Sequence, residues 1–162
     1  MTSLTDHTAA IAEILKQRDQ TVAVAETSAG GLVAAQLLAV PGASAYFVGG
    51  GVLYTGEARD ALAGIPDADM AGIRSSREPF AELLAKTMRE KLGTTWGIAE
   101  TGAAGPTGNR YGDDAGHTCV AVSGPVTMVR TLETGNGNRS KNMWRFASEA
   151  LALFQECLDT NV

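Results

Sequence analysis

The sequence predicts an α/β fold, a three-layer α/β/α sandwich around a mixed, mostly parallel sheet. Three observations lead there. Short β-branched runs alternate with segments of helical periodicity along most of the chain, the pattern of helices packed on both faces of a sheet. Two apolar runs, "VAVAETSAGG" (22–31) and "GIAETGAAGPTG" (97–108), end in acid and hydroxyl residues followed by glycines. In open sheets of this type, ligands sit at such carboxyl ends of strands. Near the C-terminus two further strand patterns meet at Gly124-Pro125, close enough for an antiparallel hairpin.

The elements follow in order. Leu4, Ile11, Ile14 and Leu15 fall at mostly helical spacing and define an amphipathic helix over 4–18. "TVAVA" (21–25) is a strand, and Gly30-Gly31 lead into a helix over 32–40 that Pro41-Gly42 ends. "SAYFVGGGVLYT" (44–55) reads as a second strand region whose three glycines weaken it or admit close approach. A short helix over 56–65 is closed by Gly64 and Pro66; Ser75-Ser76 and Pro79 open a longer one that runs to about Leu92. "TTWGIA" (94–99) is a strand ending at Glu100, followed by a glycine-rich loop without regular structure over 101–116. "HTCVAVSG" (117–124) and "VTMVRTLE" (126–133) form the hairpin. The last helix, over 138–158, carries Met143, Phe146, Ala147, Ala150, Leu151 and Phe154 on one stripe. The 162 residues suffice for one core of ordinary size, and no linker or charge run marks a boundary. The expectation is one domain over 1–162.

Composition excludes several function classes. A net charge of −5 without a Lys/Arg cluster argues against a nucleic-acid partner, because attraction to phosphate backbones makes such faces basic. No apolar stretch approaches the ~20 residues that cross a bilayer, so no membrane partner is expected. The N-terminal stretch lacks the basic start, apolar centre and cleavage site of a secretory signal, which predicts a cytoplasmic location. Cys119 and Cys157 are isolated and read as reduced, buried thiols. His7 and His117 are the only histidines, and no His or Cys pair has metal-ligand spacing, so no metal is expected. His117 reads as a hydrogen-bonded structural residue, and Asp113-Asp114 as an exposed acidic turn.

The two AET turns carry the candidate chemistry. A strand feeding a glycine turn and then a helix aims free backbone N–H groups at one point, which makes "AETSAGG" a seat for a phosphate or carboxylate. It lacks the glycine spacing of a P-loop or a dinucleotide fingerprint. Thr27 and Ser28 are therefore open to three readings: nucleophile, part of an anion cradle, or cap of the following helix. In the 101–116 loop, the glycines and Pro106 allow backbone amides to crowd a ligand, while Arg110 and Tyr111 offer charge and a stacking face.

On these residues the chain resembles the CinA C-terminal domain family, which includes stand-alone nicotinamide-nucleotide amidases. The segments that carry the resemblance are "AETSAGGLVAAQLLAVPGASAYFVGGGVLYTGEAR", "TGAAGPTG", "GHTCVAV" and "GNRSKNM", in that order. The resemblance implies an α/β/α sandwich, a small-molecule nucleotide ligand, no cofactor and a homo-oligomer. In the amidases a Ser, a Tyr and a Lys act on the carboxamide of nicotinamide mononucleotide, releasing ammonia. By spacing these positions fall on Thr27, Tyr54 and Arg59, so only the tyrosine is kept. Gly30 and Gly31 and the loop residues Thr101, Gly102, Ala104, Gly105 and Gly108 are the implied substrate-binding positions, joined by Arg139.

The departures are chemical. Threonine can attack, but its extra methyl demands room and a fixed rotamer. Arginine stays protonated and cannot be a general base. Arg59 could instead favour the Tyr54 phenolate, with Thr27 or Ser28 as nucleophile. Glu100 stands where the family has an apolar residue; it either pairs with Arg59 or Arg110 or, like Glu26, anchors a loop. Two functions follow: a divergent amidohydrolase, or a non-catalytic nucleotide-binding module that kept the pocket.

Overall fold

The computed structural model describes residues 4–162. Helix α1 (Leu4–Arg18) precedes β1 (Val22–Glu26) and α2 (Leu32–Leu38). Next come β2 (Phe47–Val52), α3 (Gly56–Ala63), α4 (Glu78–Leu92) and β3 (Trp96–Ala103). Strands β4 (His117–Ser123) and β5 (Met128–Glu133) and helix α5 (Arg139–Thr160) complete the chain. Ile11 and Leu15 of α1 are buried, as the spacing predicts, whereas the Leu4 side chain lies outside the described residues.

The five strands are ordered β2-β1-β3-β4-β5. The three-layer expectation holds, but "mostly parallel" is corrected. β1 pairs in parallel with β2 and β3, whereas β3–β4 and β4–β5 are antiparallel, an even division of pairings. The reason is connectivity: no helix lies between β3 and β4, so the chain returns beside the strand it has just left.

Alternation along the strands builds two unlike faces. Val22, Val24, Trp96, Ile98, Val120 and Val122 pack on one side with residues of α1, α2 and α5. Trp96 and Phe154 meet there edge to face at 5.6 Å. The opposite face is made of small residues, Ala23, Ala25, Ala99, Cys119 and Ala121, and takes Phe80, Ala81, Leu84 and Ala85 of α4. Close approach is obligatory there: a β-carbon on Gly97 would stand 2.1 Å from the Ala85 carbonyl oxygen.

Two boundaries differ from the sequence expectation. The second strand is confined to 47–52, with a 3₁₀ turn at Ala43–Ala45 before it. The third continues through Thr101–Ala103, because those residues pair with Cys119, Thr118 and His117 of β4. The irregular loop therefore begins at Ala104. The carboxyl ends of the parallel strands β1, β2 and β3 lie at the same end of the sheet as this loop.

Candidate functional site

The site is built on the turn between β1 and α2. Glu26 ends β1 almost fully buried and accepts hydrogen bonds from the N–H groups of Gly31 (3.2 Å), Val33 (2.8 Å) and Ala34 (3.0 Å). These are orphan donors at the start of α2, whose preceding residue, Gly31, has no side chain to cap them. Neither Thr27 nor Ser28 therefore caps the helix; the glutamate does. Gly30 and Gly31 have φ of 67° and 100°, and a β-carbon on Gly30 would lie 2.9 Å from Met143 Cε. Both glycines serve the turn, Gly30 also admits α5, and neither lines the cavities described below.

Glu100 reaches this turn from the neighbouring strand β3. It is fully buried, and of the two sequence alternatives the structure shows the loop anchor: its partners are four donors and neither Arg59 nor Arg110. Oε2 accepts from the N–H of Ala29 (2.7 Å) and Thr27 (3.2 Å). Oε1 accepts from Ser28 Oγ and from Thr118 Oγ1 (2.9 Å). Burial raises the pKa of Glu100, against the opposing pull of the Ser28, Ala29, Thr118 and Thr27 donors. Burial likewise raises that of Glu26; its three backbone donors oppose this, while the charge of Glu100 adds to it.

Two adjoining cavities open over the strand ends. The larger, about 690 Å³, is lined by Thr27, Tyr54, Arg59, Thr101, Arg110 and Tyr111 among others. The smaller, about 190 Å³, is lined by Ser28, Tyr54, Ala104, Gly105, Gly108 and Arg139 among others. Tyr54, Gly102 and Asn109 border both. The structure thus brings the sequence-predicted side chains together at one end of the sheet, but separates the two hydroxyls into different chambers.

The cations are disposed differently from expectation. Arg59 is buried and donates from Nε to the Ile65 carbonyl (2.9 Å) and from Nη2 to Asp67, so its charge is engaged away from Tyr54. The guanidinium that reaches the Tyr54 phenol is that of Arg139, at 3.1 Å. Arg139 also donates to the Gly105 carbonyl at 2.5 Å, tying the start of α5 to the glycine loop. Thr101 Oγ1 accepts from the Ser76 N–H at 3.2 Å.

The acidic turn is corrected in part: Asp114 is exposed as expected, but the Asp113 side chain is 7% exposed and ion-paired. Arg74 grips it with two nitrogens at 2.8 and 2.9 Å, and Asn109 Nδ2 donates to it at 2.8 Å. This clamp holds the segment that presents Arg110 and Tyr111 to the larger cavity. His117 is buried and hydrogen-bonded, as the sequence suggests: Nδ1 faces Glu133, and Nε2 donates to the Ser76 carbonyl at 2.6 Å. Both ring nitrogens face acceptors, which favours the imidazolium. The Cys119 sulfur, Glu133, the Ser76 carbonyl and the charge of Asp113 raise its pKa to about 10, against desolvation.

Sequence reasoning missed Asn142. It is buried in α5, donates to the carbonyls of Ala104 (2.7 Å) and Asn136 (2.6 Å), and accepts from Thr134 Oγ1 (2.7 Å). Its signal was a carboxamide immediately before the apolar stripe of the last helix. Cys119 and Cys157 are both buried free thiols. Among the described residues, no three His, Cys, Asp or Glu side chains gather to hold a metal ion. No described helix is long and apolar enough to cross a membrane.

Comparison with known proteins agrees with this architecture. A CinA-like protein of Myxococcus xanthus is 35% identical over 153 residues, which cover 94% of this chain and 36% of that protein. One from Gloeothece citriformis is 34% identical over 146 residues, covering 90% and 35%. The chain spans about a third of the length of these curated relatives. The crystal structure of the competence damage-inducible protein A from Klebsiella pneumoniae matches with a TM-score of 0.90 at 25% identity, over 97% of this chain and 98% of that one. A CinA superfamily protein from Escherichia coli shares the fold, with a TM-score of 0.87 at 22% identity over 95% and 90%. Residues 4–158 match the model of the CinA C-terminal domain, and the chain belongs to that family.

Proposed function

We propose that this protein is a divergent amidohydrolase that cleaves the carboxamide of nicotinamide mononucleotide or a related pyridine nucleotide. The observation that carries the reading is the placement of two hydroxyls, Thr27 and Ser28, at the carboxyl end of β1. There they face adjoining polar cavities that share Tyr54. A hydroxyl nucleophile needs a fixed position and a neighbouring cation or donor for the developing oxyanion. Arg139, bonded to Tyr54 and bordering the smaller cavity, supplies positive charge there. The reading includes a homo-oligomer in the cytoplasm, with no resident cofactor.

One observation favours a second reading, a nucleotide-binding module without turnover. The position where the resemblance places a lysine holds Arg59, permanently charged and engaged by Asp67 and the Ile65 carbonyl. Purified protein incubated with nicotinamide mononucleotide separates the two. Release of ammonia and nicotinic acid mononucleotide in equal amounts is the expected result. Saturable nucleotide binding with no ammonia would instead establish the binder, and turnover gained only in the double variant Thr27→Ser, Arg59→Lys would identify the lost residues. Light scattering at working concentration tests the oligomer.

A further inference from the structure

We propose that Ser28 is the nucleophile of this site and that Glu100 is its general base. The proposal rests on the amidohydrolase reading and assigns its reacting atoms. Ser28 Oγ donates to Glu100 Oε1, so a hydroxyl that borders the smaller cavity already points its proton at a carboxylate. A nucleophile within hydrogen-bond reach of its base, with the base oriented by further groups, is the arrangement that activated hydroxyls require. Here the orienting groups are Thr118 Oγ1 on the same oxygen and the N–H groups of Thr27 and Ala29 on the other.

The alternatives in the site lack this. Among the described residues no carboxylate is hydrogen-bonded to the Thr27 hydroxyl, and its β-branched side chain borders the other cavity. Arg59 cannot accept a proton, and the Tyr54 phenol is occupied by Arg139. Among the described residues, no cation is bonded to Glu100. The charged group that faces it is Glu26 of β1; Thr118 from β4 and Ser28 from the turn are neutral. Burial makes the carboxylate a better proton acceptor, and its four donors keep the ionised form accessible.

The chemistry balances without a co-reactant other than water. Ser28 Oγ bonds to the carboxamide carbon, the carbonyl π pair moves to oxygen, and the hydroxyl proton passes to Glu100. The C–N bond then breaks as Glu100 returns that proton to nitrogen, releasing ammonia and leaving an ester on Ser28. Water attacks the ester while Glu100 takes one of its protons. The ester C–O bond breaks and the proton returns to Ser28 Oγ, freeing the carboxylic acid.

A fluorophosphonate probe, which phosphonylates activated hydroxyls, tests the pair without requiring the natural substrate. The expected adduct lies on Ser28, located by fragmentation of the peptide that also contains Thr27. Glu100→Gln should slow its formation by about 10²-fold or more; because its carboxamide offers one acceptor oxygen where the carboxylate offers two, the melting temperature falls as well. In the unaltered protein the labelling rate should rise with pH as Glu100 ionises, a readout that needs no variant to fold. An adduct on Thr27, no adduct at all, or a pH-independent rate overturns the proposal. So does nicotinamide mononucleotide turnover that survives Ser28→Ala, in which case the amidohydrolase reading stands alone. Labelling of Ser28 without turnover of that nucleotide has the opposite meaning: the substrate reading fails and the pair remains.

Discussion

Replacing Glu26 with alanine removes the acceptor for three backbone N–H groups at once. Of these, the Val33 donor is fully buried, while those of Gly31 and Ala34 are partly so. A buried donor left without a partner costs about 1–3 kcal/mol, and the partly buried pair adds a smaller amount because water can reach it. Relief of one buried charge beside Glu100 offsets part of the loss. The net expectation is a destabilisation of about 2–4 kcal/mol. For a chain of this size each kcal/mol moves the melting temperature by about 2–4 °C. Differential scanning calorimetry at neutral pH measures the shift, and hydrogen exchange should show loss of protection at Val33 and Ala34. The sign with pH is also set. Both carboxylates have folded-state pKa values above the unfolded 4.5, so their contribution to stability is fullest below pH 4.5 and declines as pH rises through the raised values. Glu26→Gln should remove part of that decline. A Glu26→Ala protein that melts with the parent would refute the assignment of this carboxylate as the cap of α2.

Further expectations concern the loop and the rim of the cavities. Arg139→Ala frees both Tyr54 and the Gly105 carbonyl; since Arg139 is exposed, it should raise the nucleotide Kd in calorimetric titration by about 10-fold while leaving stability almost unchanged. Asp113→Asn breaks the two-pronged contact with Arg74 and should cost about 1–2 kcal/mol after allowing for solvent screening of the arginine. Faster tryptic cleavage at Arg110 would report the loosened segment. His117 carries a folded-state pKa of about 10 against 6.5 unfolded, so its stabilisation is complete below pH 6.5 and lost as pH rises through 10. Urea midpoints should fall less steeply between pH 7 and 10 in His117→Gln than in the parent.

Much of the scaffold was legible because its signal is local. "VAVA" alternates large and small side chains, and the structure puts the valines against α5 and its neighbours and the alanines against α4. Direction within the sheet was legible only in part. The hairpin at Gly124-Pro125 was evident, but the missing helix between β3 and β4 was equally a sign of antiparallel return. "TGA" at 101–103 has the letters of a loop and the structure of a strand, because pairing with β4 overrides propensity. Charged side chains were hardest to place. Glu100 and Ser28 are 72 residues apart, and Arg74 and Asp113 are 39 apart. Such partners are chosen by topology, and no spacing rule along the chain names them.

The convergence of four donors on Glu100 also bears on how the protein comes to be folded. Its oxygens join the β1–α2 turn to Thr118 of β4, while Arg139 joins Tyr54, 85 residues earlier, to the glycine loop. Contacts of such sequence separation form only after the chain entropy of closing long loops has been met. A nascent chain in which β1, α2 and β2 have been synthesised holds the Ser28 hydroxyl but not the Glu100 carboxylate to which it donates. Competence at this site is therefore a late event of folding, acquired when β3 and β4 have paired beside β1 and α5 has docked.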